Sequence, residues 1–165
     1  MTMRRISVEE HWANQELIDI RNAWSARTGF PPSNDPKATP LVFPRLVDVD
    51  KWRLPLMDEE GITIQVLSTS SPSIQGIADA ACAISTAKRT NDAMAEVMKS
   101  RHGRFAGLAC LPTQDPMAAS DELERCLGQL GYRGAMIQGH TNGEYLDSPK
   151  YRVLWERAAS LGAPI

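Results

Sequence analysis

Near the N-terminus the stretch I-S-V-E-E-H-W, Ile6 to Trp12, sets three ionisable residues in a row: Glu9, Glu10 and His11. Ile6 and Val8 alternate with smaller or polar neighbours, the patterning of a strand. Residues two apart in a strand share a face, about 7 Å apart along the chain. That spacing predicts Glu9 and His11 on one face and Glu10 with Val8 on the other. A carboxylate beside an imidazole offers one hard and one borderline donor, suited to Zn²⁺ or Mn²⁺ with positions left open. The same residues would also serve as polar decoration of a strand end. The elements that position them have to decide.

Those elements alternate. After the first strand, Asn14 to Arg27 carries Leu17, Ile20 and Trp24 at helical spacing. The segment Gly29 to Pro40 contains four prolines and cannot be regular structure; a loop this long is expected to serve binding, here over about residues 29–45. Val49 to Glu60 reads as helical and stops at Gly61. Strands are expected at Ile62 to Ser68, Phe105 to Leu111 and Gly134 to Gly139, with helices from about Ala78 to Ser100, from Asp115 as N-cap with Pro116 in the first turn, and from about Ser148 to Leu161. G-A-P-I, Gly162 to Ile165, looks like the opening of a fifth strand. Strands separated by helices indicate a parallel α/β sheet. No G-x-G-x-x-G follows the first strand, so dinucleotide binding has no support. About four strand–helix units in 165 residues are half of the eight that close a (β/α)₈ barrel of ~250 residues or more. The expected fold is therefore α/β, the N-terminal half of a TIM barrel, as one partial domain over residues 1–165.

Composition narrows the partners. With 18 basic and 20 acidic side chains, no basic surface for nucleic acid or an anionic membrane is expected. No apolar run approaches the ~20 residues of a membrane span. Cys82, Cys110 and Cys126, widely spaced in apolar contexts, read as buried free thiols of a cytoplasmic protein.

Several stretches together carry a resemblance: V-E-E-H-W; R-L-V-D and R-L-P-L-M-D-E-E-G-I between Arg45 and Ile62; R-T-N-D, Arg89 to Asp92; R-F-A-G-L-A-C-L-P-T-Q-D-P, Arg104 to Pro116; L-G-Y-R-G-A, Leu130 to Ala135; and Y-L-D-S-P-K-Y-R-V-L-W-E, Tyr145 to Glu156. In this order and spacing, the chain resembles the N-terminal half of amidohydrolase-related metalloenzymes of the aminocarboxymuconate-semialdehyde decarboxylase type. It is most similar to the hydroxybenzoate decarboxylases among them, the γ-resorcylate and 2,3-dihydroxybenzoate enzymes. The resemblance implies a metal-dependent, non-oxidative decarboxylation of a hydroxylated aromatic acid, with Glu9 and His11 as two ligands of one divalent ion, Zn²⁺ or Mn²⁺. It also implies a further histidine after the fifth strand and an aspartate after the eighth, both past Ile165, so this chain alone is expected to be inactive. Hydrolysis of a lactone or amide on the same scaffold, or a non-catalytic half-barrel, are the alternatives.

The resemblance places further residues near a substrate. Phe30 matches an aromatic that covers the substrate ring, and Ser73 a pocket-lining position. Gln138 stands where relatives often have asparagine, which bears on substrate identity. His140, two residues on, points with Gln138 on period-2 spacing. The expected partners are a small aromatic carboxylate and either a second copy of the chain or a complementary half-barrel. Trp12 reads as packing, His102 as structural or solvated at the opposite end of the barrel, and Arg89, Asn91 and Asp92 as structural. Asp48 and Asp58 with Arg45 and Arg53 read as a charge-paired helix face.

Overall fold

A computed structural model describes residues 4–29 and 42–165 of the chain. The expected substrate loop falls largely on residues 30–41, outside the described residues, as does Phe30; residues 42–45 open a helix. In chain order the elements are β1 (Ile6–Trp12), α1 (Gln15–Thr28), α2 (Val42–Val47), α3 (Arg53–Glu59), β2 (Ile64–Thr69), a 3-10 turn at Ser73–Gly76, α4 (Ala80–Ser100), β3 (Phe105–Gly107), α5 (Pro116–Gln129), a second 3-10 turn at Pro149–Tyr151 and α6 (Arg152–Leu161).

Local chemistry sets the helix ends. Asn14 caps α1 by accepting from the Leu17 amide at 2.9 Å, and Asp79 caps α4 by accepting from Cys82 at 2.8 Å. Asp115 accepts from the amides of Met117 and Ala118, with Pro116 in the first turn of α5. Each such cap contributes about 1 kcal/mol. Buried residues of α4 recur at Ala83, Thr86, Ala87, Thr90, Asn91, Met94 and Ala95, one stripe of the helix.

The strands lie parallel in the order β1-β2-β3. A single parallel bridge, Ala109 to Ala135, marks a fourth strand position beside β3. The Ala135 amide then donates to Pro164 O at 3.0 Å, so the chain opens a fifth position where the sequence placed one. A Cβ at Gly134 would stand 2.4 Å from Pro164 O, which leaves room for glycine alone at that approach. The sheet packs one face on the helices, around Met57, Leu67, Ile74, Met94, Leu111, Leu123 and Leu154, all fully buried. The other face leaves Ile6 52% exposed. A parallel sheet with helices on one side only is an opened barrel wall, and the half-barrel expectation holds.

Two expectations are corrected. Cys110 and Cys126 are buried free thiols, but Cys82 is exposed on the first turn of α4. The charge-paired helix face does not form: Asp58 pairs with Arg104 at 2.7 Å, Asp48 caps the Trp52 amide, and Arg53 turns inward to β1. The α3 charges reach partners on other elements because the helix is only seven residues long. Trp12 is buried, His102 is exposed in the turn before β3, and Arg89, Asn91 and Asp92 make structural bonds, as read from the sequence.

Candidate functional site

β1 does not alternate simply. Ser7 pairs with Gln65 and Glu10 with Leu67, so Val8 and Glu9 together occupy the one step opposite Val66. The extra residue is a β-bulge, and Glu9 adopts it at φ 65, a left-handed conformation that costs a non-glycine residue. From there Glu10 follows Leu67 to the helix-covered face and His11 follows Ser68 to the other. Glu10 thus leaves Val8, which is 69% exposed, and the simple two-face reading gives way to the bulge.

Glu9 and His11 are both exposed. The Glu9 carboxylate meets no hydrogen-bond partner among the described residues, and the His11 ring has Nδ1 3.4 Å from Ser68 Oγ, leaving Nε2 uncommitted. Both line a cleft of about 680 Å³, together with Glu10, Arg45, Trp52 and Arg53. Trp52 carries Arg45 and Lys51 against its ring, with the cations 5.7 and 5.2 Å from the centroid. Burial pulls the Arg53 guanidinium below its usual pKa, and the charges of Glu10 and Asp48 oppose that. No group of three or more His, Cys, Asp or Glu poised for a metal exists among the described residues.

Ser73 and Gln138 belong to a second, drier cluster. Ser73, also at positive φ (53), is buried and shares a 2.6 Å hydrogen bond with Thr69 Oγ1. Gln138 Nε2 donates to Thr69 O at 2.9 Å, and its amide donates to Gln75 Oε1 at 3.3 Å. Gln75 in turn donates to Leu111 O and to Thr113 Oγ1, which bonds Thr141 Oγ1 at 2.6 Å. This network ties together the C-terminal ends of β2, β3 and the fourth position, the end at which barrel sites sit. It adjoins the first cluster through Ser68–Thr69 but does not line the same cleft.

His140 stays apart. It is exposed, its Nδ1 accepts from the Gly143 amide at 3.3 Å, and its ring meets Tyr145 edge-on at 5.7 Å. It serves the tight turn 141–144, where Thr141 and Glu144 exchange backbone hydrogen bonds and Asn142 and Gly143 lie at φ 51 and 84. The sequence puts Arg53 on a charge-paired helix face and leaves Gln75 unmarked, since each acts through one long polar arm reaching another element.

Comparison with known proteins agrees with this architecture. The amidohydrolase family model matches residues 44–165, and the chain belongs to that family. It is 39% identical, over 97% of its length and 48% of the relative's, to the γ-resorcylate decarboxylase of Polaromonas sp. (strain JS666). Its backbone follows a crystal structure of a dihydroxybenzoic acid decarboxylase from Polaromonas sp. JS666, with bound manganese and the inhibitor 2-nitroresorcinol, at TM-score 0.85 and 39% identity over 99% of this chain and 48% of that one. A 5-carboxyvanillate decarboxylase from Novosphingobium aromaticivorans, complexed with manganese and a nitrobenzoic acid, matches at TM-score 0.87 and 29% identity, over 98% of this chain and 49% of that one. The chain spans about half the length of the curated relatives it matches. Structurally it is the N-terminal half of a (β/α)₈ barrel. No helix among the described residues is long and apolar enough to cross a membrane.

Proposed function

We propose that this chain supplies two ligands of the metal site of a non-oxidative decarboxylase acting on a hydroxylated aromatic carboxylic acid. The observation that carries the reading is the β1 bulge. It holds a carboxylate without a partner among the described residues, in a costly backbone conformation, two residues from an imidazole with one nitrogen uncommitted. Strain of about 1–3 kcal/mol persists where the surroundings fix it, and such sites are enriched in function. The kinship with γ-resorcylate decarboxylases supports the reaction class.

The donors fit a divalent ion. Glu9 would offer a hard oxygen and His11 a neutral imidazole nitrogen, a set that accepts Zn²⁺ or Mn²⁺ and leaves positions for substrate. When bound, such an ion supplies Lewis acidity toward the substrate's carboxylate and neighbouring hydroxyl. Ser68, near His11 Nδ1, orients the ring. Ser73 and Gln138 shape the wall beside the site: Gln138 spends its amide nitrogen on Thr69 O and keeps its side-chain oxygen near the strand ends. His140, which stands apart in the 141–144 turn, would meet the substrate only from outside this cluster, and Phe30 would cover the ring. Decarboxylation breaks the bond between ring and carboxylate, its electron pair stays on the ring carbon, and a proton takes the place of CO₂. The exposed face around Ile6 and the free edge of β1 fit association with a second copy or a complementary half, which gel filtration reads.

The test is Mn²⁺ binding by calorimetry on the chain and on a Glu9→Gln/His11→Ala variant, with CO₂ release from 2,6-dihydroxybenzoate by a full-length barrel carrying this half as a second readout. One ion per chain, lost in the variant, is expected. A folded chain that binds no Mn²⁺ removes the ligand assignment. Ring opening of a lactone without CO₂ release would move the reaction to the hydrolases.

A further inference from the structure

The bulge in β1 is closed over from its helix side by one guanidinium. Ser7 Oγ donates to one oxygen of Glu10, and Arg53 Nη1 reaches the other at 3.5 Å. The same Nη1 donates to Gln65 Oε1 at 3.1 Å, and Gln65 is the ladder partner of Ser7. Ser7, Glu10, Arg53 and Gln65 therefore form a closed ring across the position that holds the extra residue. The second arm of the fork, Nη2, donates to the His11 carbonyl at 2.6 Å and to the Arg45 carbonyl at 3.3 Å. The Arg53 side chain is only 9% exposed, although its Nη2 bonds to the two carbonyls lie at the surface.

A left-handed glutamate in a strand needs over-determination by its neighbours. Among the described residues only β2 pairs with β1, and that ladder shifts register at the bulge itself, so its bonds alone do not fix Glu9. Arg53 grips both residues that follow Glu9: the side chain of Glu10 and the backbone of His11. We infer that Arg53 is the positioning residue of this site, holding the β1 bulge so that Glu9 and His11 stay aimed at one divalent ion. The role assigned to it is to hold β1, through Glu10 and the His11 carbonyl, rather than to bind the ion itself. The inference rests on Glu9 and His11 being ligands, and gives a reason for an arginine at the start of α3. A lysine would keep the charge, but its single ammonium lacks the planar fork that serves two directions at once.

The experiment compares Arg53→Met and Arg53→Lys with the unaltered chain, reading Mn²⁺ affinity by calorimetry and amide hydrogen exchange along β1. Arg104→Met is the control, because it removes a different α3 ion pair, that to Asp58. Arg53→Met is expected to weaken Mn²⁺ binding roughly 10–100-fold, the usual effect of losing a residue that orients ligands. Exchange should quicken at residues 10–12 and not in β2, with Arg53→Lys between the two and the control at unaltered affinity. Affinity in Arg53→Met and Arg53→Lys within about twofold of the unaltered chain, well short of that range, overturns the inference. So does an equal loss in the control. If Arg53→Met does not fold, Arg53→Lys carries the same comparison. If the unaltered chain binds no Mn²⁺, the ligand reading fails separately, and exchange at residues 10–12 decides: unchanged protection overturns the clamp, and local loosening upholds it.

Discussion

Glu9 and Glu122 are the same side chain put to opposite uses. Glu122, on α5, is 1% exposed and every contact is taken. Oε1 accepts from Asn91 at 2.8 Å, from Arg125 at 2.7 Å and from the Cys126 thiol at 3.4 Å, and Oε2 accepts from Arg125 Nε at 2.8 Å. Hydrogen bonds to Glu122, with Asp92 adding its own, push the Arg125 pKa above its usual value. Asn91 meanwhile gives and receives a bond with the Cys110 backbone, locking α4 to the strand region after β3. Glu9 lies exposed in a strained conformation, without a partner among the described residues. A saturated carboxylate holds a fold together, whereas one with open lone pairs and fixed direction is ready for a ligand.

The largest effect should come from the saturated region. Glu122→Ala leaves Arg125 and Asn91 facing an empty position, and removing one partner of a buried pair costs about 3–5 kcal/mol. Chemical denaturation should show that loss; one below about 1 kcal/mol, the level of an exposed pair, would make the network decorative.

Next in size is an alkaline effect from the thiols beside Glu122. Burial, reinforced by the Glu122 charge, raises the pKa of both Cys110 and Cys126. Below the unfolded thiol pKa of about 8.5 both states hold the proton, and this contribution is fully present. Above it the unfolded chain releases protons that the folded chain keeps. Stability then falls by about 1.4 kcal/mol per pH unit for each thiol until the folded pKa is reached. Denaturation midpoints at about pH 7.5 and 9.5, on either side of that unfolded pKa, should show the decline, with a shallower slope in Cys126→Ala.

The smallest stability effect belongs to the open region, with the opposite sign. Glu9→Gly relieves a positive φ and should stabilise the chain by about 1 kcal/mol, raising Tm by about 2–4 °C, while Mn²⁺ binding disappears. A destabilised Glu9→Gly would mean that its side chain supports the fold, and the contrast with Glu122 would collapse.

Much of this was legible before any coordinates. The strand–helix alternation, the Asp115 cap with Pro116, and the return of the chain at Pro164 are local signals, and local signals survive folding. Strand spacing places Glu9 and His11 two residues apart at the end of β1, and both line one cleft. The bulge at Val8–Glu9 is not legible there, because a register shift depends on how β2 runs alongside. Arg53 was misplaced for a related reason: helical spacing finds neighbours on the same helix, while a buried guanidinium bonds whatever acceptors the tertiary fold brings. Ser73 and Gln138 were located at the correct strand ends, but their engagement with Thr69 could not be read from types and spacing.

The exposed turn at Asn142–Gly143 is an expected site of deamidation. With no Cβ on the following residue, the Gly143 nitrogen can attack the Asn142 carboxamide once its 3.3 Å bond to His140 Nδ1 opens. Ring closure expels ammonia, and hydrolysis of the succinimide leaves aspartate or isoaspartate. Each event adds a negative charge beside His140 and removes the amide donor that Asn142 lends to Ala78 O at 3.4 Å. Asn91, held in α4 with both amide atoms bonded, is shielded from the same chemistry. Deamidation at this exposed turn would leave the Asn91 bonds between α4 and Cys110 in place.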